Sequence, residues 1–88
     1  MIPHSLRDAL EDPMLDGAPL QIFTRCFIWL EPHGYRPLVL TLIARQVRVE
    51  ERTVSRSLKL LCEGGYLERG PNTVHGVGTY RVLLTRAA

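Results

Sequence analysis

Arg52, Arg56 and Lys59 recur at steps of four and three residues, so on a helix turning about 100° per residue they share one face. Val54, Leu58 and Leu61 fall within roughly 60° of one another on the opposite side. Such a helix packs with one face and meets anions with the other. A guanidinium can fork onto a phosphate or onto O6 and N7 of guanine, an ammonium adds a point charge, and the hydroxyls of Thr53 and Ser55 can reach bases or phosphates. The same cations could instead form an ordinary solvated face, with Lys59 paired to Glu63 four residues on.

The elements that would position these groups follow from pattern and punctuation. The basic helix is expected over Glu51–Glu63, with Gly64-Gly65 supplying a left-handed exit. A helix over Leu38–Val47 precedes it, its small Ala44 allowing close approach, and Arg36, Arg45 and Arg48 lie on that side as further phosphate ligands. From Tyr66 the period changes to that of strands. Tyr66–Arg69 and Thr79–Leu84 flank a Gly-, Pro- and Asn-containing stretch and predict a hairpin with a flexible tip, His75 at the tip and Arg69 and Arg81 at the base. Upstream, Ser5 is expected to cap a short helix to Asp12, with Asp8 at its third position, and Pro13–Ala18 reads as a loop. Pro19 then opens a helix over Leu20–Glu31 that Pro32-His33-Gly34 terminates. Phe23, Cys26, Phe27 and Leu30 form one apolar stripe on it, and Ile22, Cys26 and Trp29 a second; either the helix is core beneath both other helices, or one stripe, with Trp29, is covered by another copy of the chain. Tyr35–Leu38 is short and extended.

The run Ile43-Ala44, then Arg52-Thr53-Val54-Ser55-Arg56-Ser57-Leu58-Lys59-Leu60-Leu61, then Gly64-Gly65-Tyr66-Leu67 resembles the helix-turn-helix of winged-helix transcriptional regulators of the MarR, GntR and Crp-like kinds. The resemblance covers residues 21–84 and implies an α+β fold: a three-helix core, a short N-terminal helix and a C-terminal β-hairpin wing. It further implies binding to double-stranded DNA through Arg52, Thr53, Ser55, Arg56 and Lys59, supported by Arg36, Arg45 and Arg48, with His75 and Arg81 on the wing. Two positions depart from the pattern. Arg48 stands where a left-handed Gly is usual, and Glu50 replaces the usual Ser or Thr cap and is followed by Glu51, placing negative charge where a phosphate would approach.

With 88 residues, 45% of them apolar, the chain is expected to form a single domain, residues 1–18 extending a core over 19–84. Its net charge of +2 conceals an asymmetry. Residues 1–34 carry two basic against five acidic groups, whereas residues 35–88 carry nine against four. That distribution suits a basic nucleic-acid face on an acidic scaffold. Cys26 and Cys62 lack close-spaced partners and read as small hydrophobes, the three histidines fit no metal spacing, and nothing resembles a nucleophile with its base or a phosphate-binding glycine loop. No enzyme, cofactor or metal is therefore expected. Without a leader-like start or a long apolar run, a cytoplasmic location is expected. The resulting expectation is sequence-specific duplex binding by a homodimer in transcriptional control. Two alternatives stay open: an accessory DNA-binding factor in replication or recombination of a mobile element, or a winged helix that binds a protein partner.

Overall fold

The computed structural model describes residues 4–30 and 34–84. Four helices and three short strands follow in the order α1 (His4–Glu11), α2 (Ala18–Trp29), β1 (Arg36–Pro37), α3 (Leu40–Val47), α4 (Glu51–Glu63), β2 (Leu67–Arg69) and β3 (Thr79–Val82), with a 3₁₀ turn at Pro13–Leu15. The strands form one antiparallel sheet in the order β1-β3-β2. Leu67 pairs with Val82, Glu68 with Arg81 and Arg69 with Tyr80, while Arg36 pairs with Tyr80 from the other edge. The fold is the α+β winged-helix-like arrangement that the sequence pattern implies.

The core sits where α2, α4 and the sheet converge. Ile22, Phe23 and Cys26 of α2 meet Val54, Leu58 and Leu61 of α4, and Tyr66, Leu67 and Val82 close the sheet side. Phe23 stacks edge-on against both Phe27 and Tyr66, with ring centroids 5.1 and 5.2 Å away. The second stripe of α2 is thus largely core: Ile22 and Cys26 are fully buried and Trp29 packs half-buried against the cluster. The exposed apolar residue of this helix is Ile28.

Several boundaries differ from the sequence expectation, each for a local reason. Helix α1 runs from His4 to Glu11, so Ser5 lies within it rather than at its N-cap position. Asp12 caps the following 3₁₀ turn instead, its Oδ1 accepting from the Met14 N–H at 2.9 Å. That turn anchors the Pro13–Ala18 segment, because Leu15 inserts into the core. Helix α2 begins at Ala18, with Pro19 in its first turn, and ends at Trp29, short of the expected Glu31; the Pro32-His33 stop lies outside the described residues. Leu30 is extended and buried, its N–H closing the helix on the Cys26 carbonyl. Helix α3 starts at Leu40 rather than Leu38: Val39 stays extended and its carbonyl accepts the first helical bonds, from Leu42 and Ile43 at 3.1 and 3.2 Å, while the Leu38 N–H reaches the Gly78 carbonyl at 3.1 Å and extends the sheet edge. Strand β3 ends at Val82, although the Leu83 N–H still reaches the Tyr66 carbonyl at 3.0 Å.

Candidate nucleic-acid interface

The turn between α3 and α4 resolves the conflict at Arg48 by making it left-handed, with φ 57° and ψ 49°. Arg48 is the sole non-glycine residue of positive φ among the described residues. The gain is a closed helix end: the N–H groups of Arg48 and Val49 both reach the Ala44 carbonyl, the latter at 3.1 Å. Ala44 itself is buried where α3 packs on α4. Val49 and Glu50 then lead into α4, whose first turn closes on Glu50 through the Thr53 and Val54 N–H groups at 3.0 and 3.1 Å. The Glu50 side chain makes no capping bond, and Glu51 Oε1 accepts from Thr41 Oγ1 at 3.2 Å, tying the two helices together. The far end of α4 closes with Tyr66 N–H on the Leu61 carbonyl and Gly65 N–H on that of Cys62, Gly65 taking the left-handed conformation.

Between these ends, α4 buries Val54, Ser57, Leu58 and Leu61 and exposes Arg52, Ser55, Arg56 and Lys59. Thr53 is half-buried, and its carbonyl accepts from Ser57 Oγ at 2.7 Å, so Ser57 serves the helix. No ion pair engages Arg52, Arg56 or Lys59 among the described residues, and the Lys59–Glu63 pair does not form there. Ser55, Arg56 and Lys59 line a cleft of about 420 Å³ whose other wall is Arg69 and Tyr80 of the sheet. Arg69 donates to Asn72 Oδ1 at 3.0 Å and lies 5.9 Å from the centre of the Tyr80 ring, which holds its charge over the cleft. Cys62 also lines the cleft, but burial pushes its thiol pKa up against the pull of Arg69, and burial pushes Cys26 up to about 12. Both thiols are free and protonated at neutral pH.

The other candidate residues are dispersed around this cleft. Arg45 on α3 and Arg48 in the turn are exposed, as is Arg36 on β1. The wing tip is a closed turn: Gly76 N–H reaches the Thr73 carbonyl at 2.9 Å, and the Val77 N–H is held by Thr73 Oγ1 at 3.1 Å. It presents Val74 and His75 to solvent. Arg81 is placed differently. Alternation along β3 sends it to the sheet face opposite Tyr80, where its Nη2 pairs with Glu68 Oε1 at 2.9 Å and its guanidinium lies 5.5 Å from the centre of the Tyr35 ring. Tyr35 donates its hydroxyl to the same Glu68 oxygen. That bond and the Arg81 contact hold the Glu68 carboxyl below its ordinary value, while the Tyr35 hydroxyl is pushed up, first by donating to Glu68. Arg81 thereby props the wing. Sequence reasoning missed the part of Tyr80 in the cleft, because only the Arg69–Tyr80 register brings the two side by side.

No protein-family model and no curated protein matches the chain. A solved structure of a possible transcriptional regulator from Methanosarcina mazei Go1 shares its fold, with a TM-score of 0.60 and 24% identity over 90% of this chain. The chain spans 62% of the length of that protein. Among the described residues no helix is long and apolar enough to cross a membrane.

Proposed function

We propose that this chain binds double-stranded DNA in a sequence-specific manner and acts in transcriptional control, with self-association enlarging the reach of a small domain. The observation that carries this reading is the unpaired basic face of α4, opposed across the cleft by Arg69. Its cations project from a rigid helix whose ends are both closed by hydrogen bonds, which is what entry into a major groove requires. Arg52, Ser55 and Arg56 take the role of base readers. Arg36, Arg45, Arg48 and Lys59 take that of phosphate ligands, and the His75 tip reaches the adjacent groove or backbone. The likeness to a possible transcriptional regulator agrees with this assignment.

The carboxylates at the start of α4 bear on the rival reading of a protein-binding winged helix. Glu51 is drawn toward Thr41, whereas Glu50 stays exposed and uncapped. Repulsion from Glu50 shifts the expected phosphate contacts toward Arg52 and beyond and leaves the rest of the face intact. Selection of bound duplexes from a random pool, followed by titration of the winner at several salt concentrations, tests the assignment. A specific binder gives an enriched motif and an affinity that falls steeply with salt. Equal weak affinity for every duplex, with no salt dependence, would transfer the surface to a protein partner.

A further inference from the structure

The outer side of α1 and α2 carries a surface that DNA binding does not use. Ile28 is 79% exposed and Leu10 is 60% exposed, and both line a cleft of about 540 Å³ together with Leu20, Gln21, Thr24 and Arg25. A neighbouring cleft of about 260 Å³ shares Leu10 and Leu20 and continues into Glu11 and Asp16. The surface therefore runs from Arg25, across an apolar centre, to two carboxylates. None of Arg25, Glu11 and Asp16 is ion-paired among the described residues. This order of charges is self-complementary: a two-fold axis through the apolar centre sets the cation of one copy against the carboxylates of the next. The occupant that fits is a second copy of the chain.

The placement of this surface decides what such a pair does. Ile22, Phe23 and Cys26 turn one side of α2 into the core against α4, and Gln21, Thr24 and Ile28 lie on the side turned away. Helix α4 lies beneath α2 and in turn directs Arg52, Arg56 and Lys59 away from it. The apolar surface and the basic face are therefore on opposite sides of the molecule. We propose that the chain pairs back to back through Leu10, Leu20 and Ile28, so that its two basic faces point apart and one pair holds two duplex segments. The bridging, though not the pairing, rests on the DNA-binding reading. Linking two sites this way raises affinity through effective concentration and adds no contact to either site.

The test uses sedimentation of the full chain without DNA, and energy transfer between two differently labelled short duplexes of the selected sequence. The wild type should sediment as a dimer at high micromolar concentration and bring the two labels together. Ile28→Glu should give a folded monomer by circular dichroism that binds one duplex with unchanged affinity and gives no transfer, since Ile28 lies outside the core. Arg25→Glu should weaken pairing, and adding Glu11→Arg and Asp16→Arg to it should restore pairing. A wild type that stays monomeric, or an Ile28→Glu chain that remains dimeric, overturns the proposal. A dimer that binds both duplexes singly without energy transfer overturns the back-to-back geometry. A chain that pairs through this face but binds no duplex overturns the DNA reading and the bridging, and leaves the pairing intact.

Discussion

The Tyr66 hydroxyl donates to Asp12 Oδ2 at 2.8 Å, joining the exit of α4 to the turn that follows α1 across 54 residues of sequence. The same carboxylate caps the 3₁₀ turn through its other oxygen, so one side chain fixes both the N-terminal extension and the residue that closes α4. Tyr66→Phe keeps the ring in the core and removes only the hydroxyl. It should cost about 1.5–3 kcal/mol in urea unfolding, the range for a hydrogen bond to a charged acceptor. Asp12→Asn should cost a similar amount, because the amide oxygen can accept from Met14 or from Tyr66 while the NH2 group that replaces the other oxygen cannot accept. Equal stability of Tyr66→Phe and wild type would show that the link is dispensable.

Replacing Arg56 with Ala leaves the buried face of α4 untouched, so the melting curve should hardly move. Binding to a selected duplex should weaken by about 1–3 kcal/mol if the guanidinium reads a base, and sequence preference should relax at a single position. Lys59→Ala should instead weaken all duplexes alike and lower the salt slope by roughly one phosphate contact.

Arg48 separates stability from binding. A left-handed conformation costs an L-residue about 1–2 kcal/mol, a penalty that Gly avoids at the expense of its own chain entropy. Arg48→Gly should therefore raise stability by up to about 1 kcal/mol while removing the phosphate contact proposed for it, so that melting temperature and DNA affinity move in opposite directions. Arg48→Val should lower both, because a β-branched residue resists positive φ.

The wing should respond to pH at both ends of the scale. The Glu68 carboxyl is held below its usual 4.5, so its contribution is present above that value and is lost as pH falls through the depressed folded-state value. The Tyr35 hydroxyl is raised above its usual 10.0, so its contribution is present below that value and is lost as pH rises through the elevated one. Anchoring should thus be complete across the neutral range. Monitoring Arg81 and Tyr35 side-chain resonances during titration checks this, and Tyr35→Phe should bring the Glu68 transition up toward the ordinary carboxylate range.

Gly70 offers a steric test of the same prop. A Cβ added there would stand 2.5 Å from Cγ and Cδ1 of Tyr35 and 2.7 Å from Thr79 Oγ1. Gly70→Ala should push the Tyr35 ring aside, break its bond to Glu68 and free Arg81 from the cation–π contact. The Tyr35 and Arg81 resonances should shift together, while those of the α2–α4 core stay in place.

What could be read from the sequence was what repeats locally. The 3.6-residue alternation of Val54, Leu58 and Leu61 against Arg52, Arg56 and Lys59, closed by a glycine pair, marks α4 at the bounds it adopts. The change of period at Tyr66 marks the hairpin. Misplaced ends belong to residues committed to distant partners: Leu38 bonds to Gly78, and Leu15 leaves a turn-rich segment to enter the core. The cleft was only partly legible, for Arg69 and Arg81 look equivalent in sequence. Strand register alone sends one beside Tyr80, facing α4, and pairs the other with Glu68 on the outer face. Ile28 escaped notice because the apolar stripes of α2 surround it.

The Thr73 side chain gives the wing tip a thermodynamic character beyond its shape. Thr73 holds both Gly76 and Val77, so the tip is closed by its own hydrogen bonds without a partner. A loop that must be immobilised on binding forfeits about 0.5–1.5 kcal/mol for each rotamer-rich side chain it orders, and a preformed one avoids much of that loss. Val74 and His75 are short side chains with few rotors, carried on a closed turn. If the tip takes the duplex contact proposed for it, that contact should therefore carry a small entropic penalty, and the tip should act as a fixed gauge does, by fitting or failing to fit.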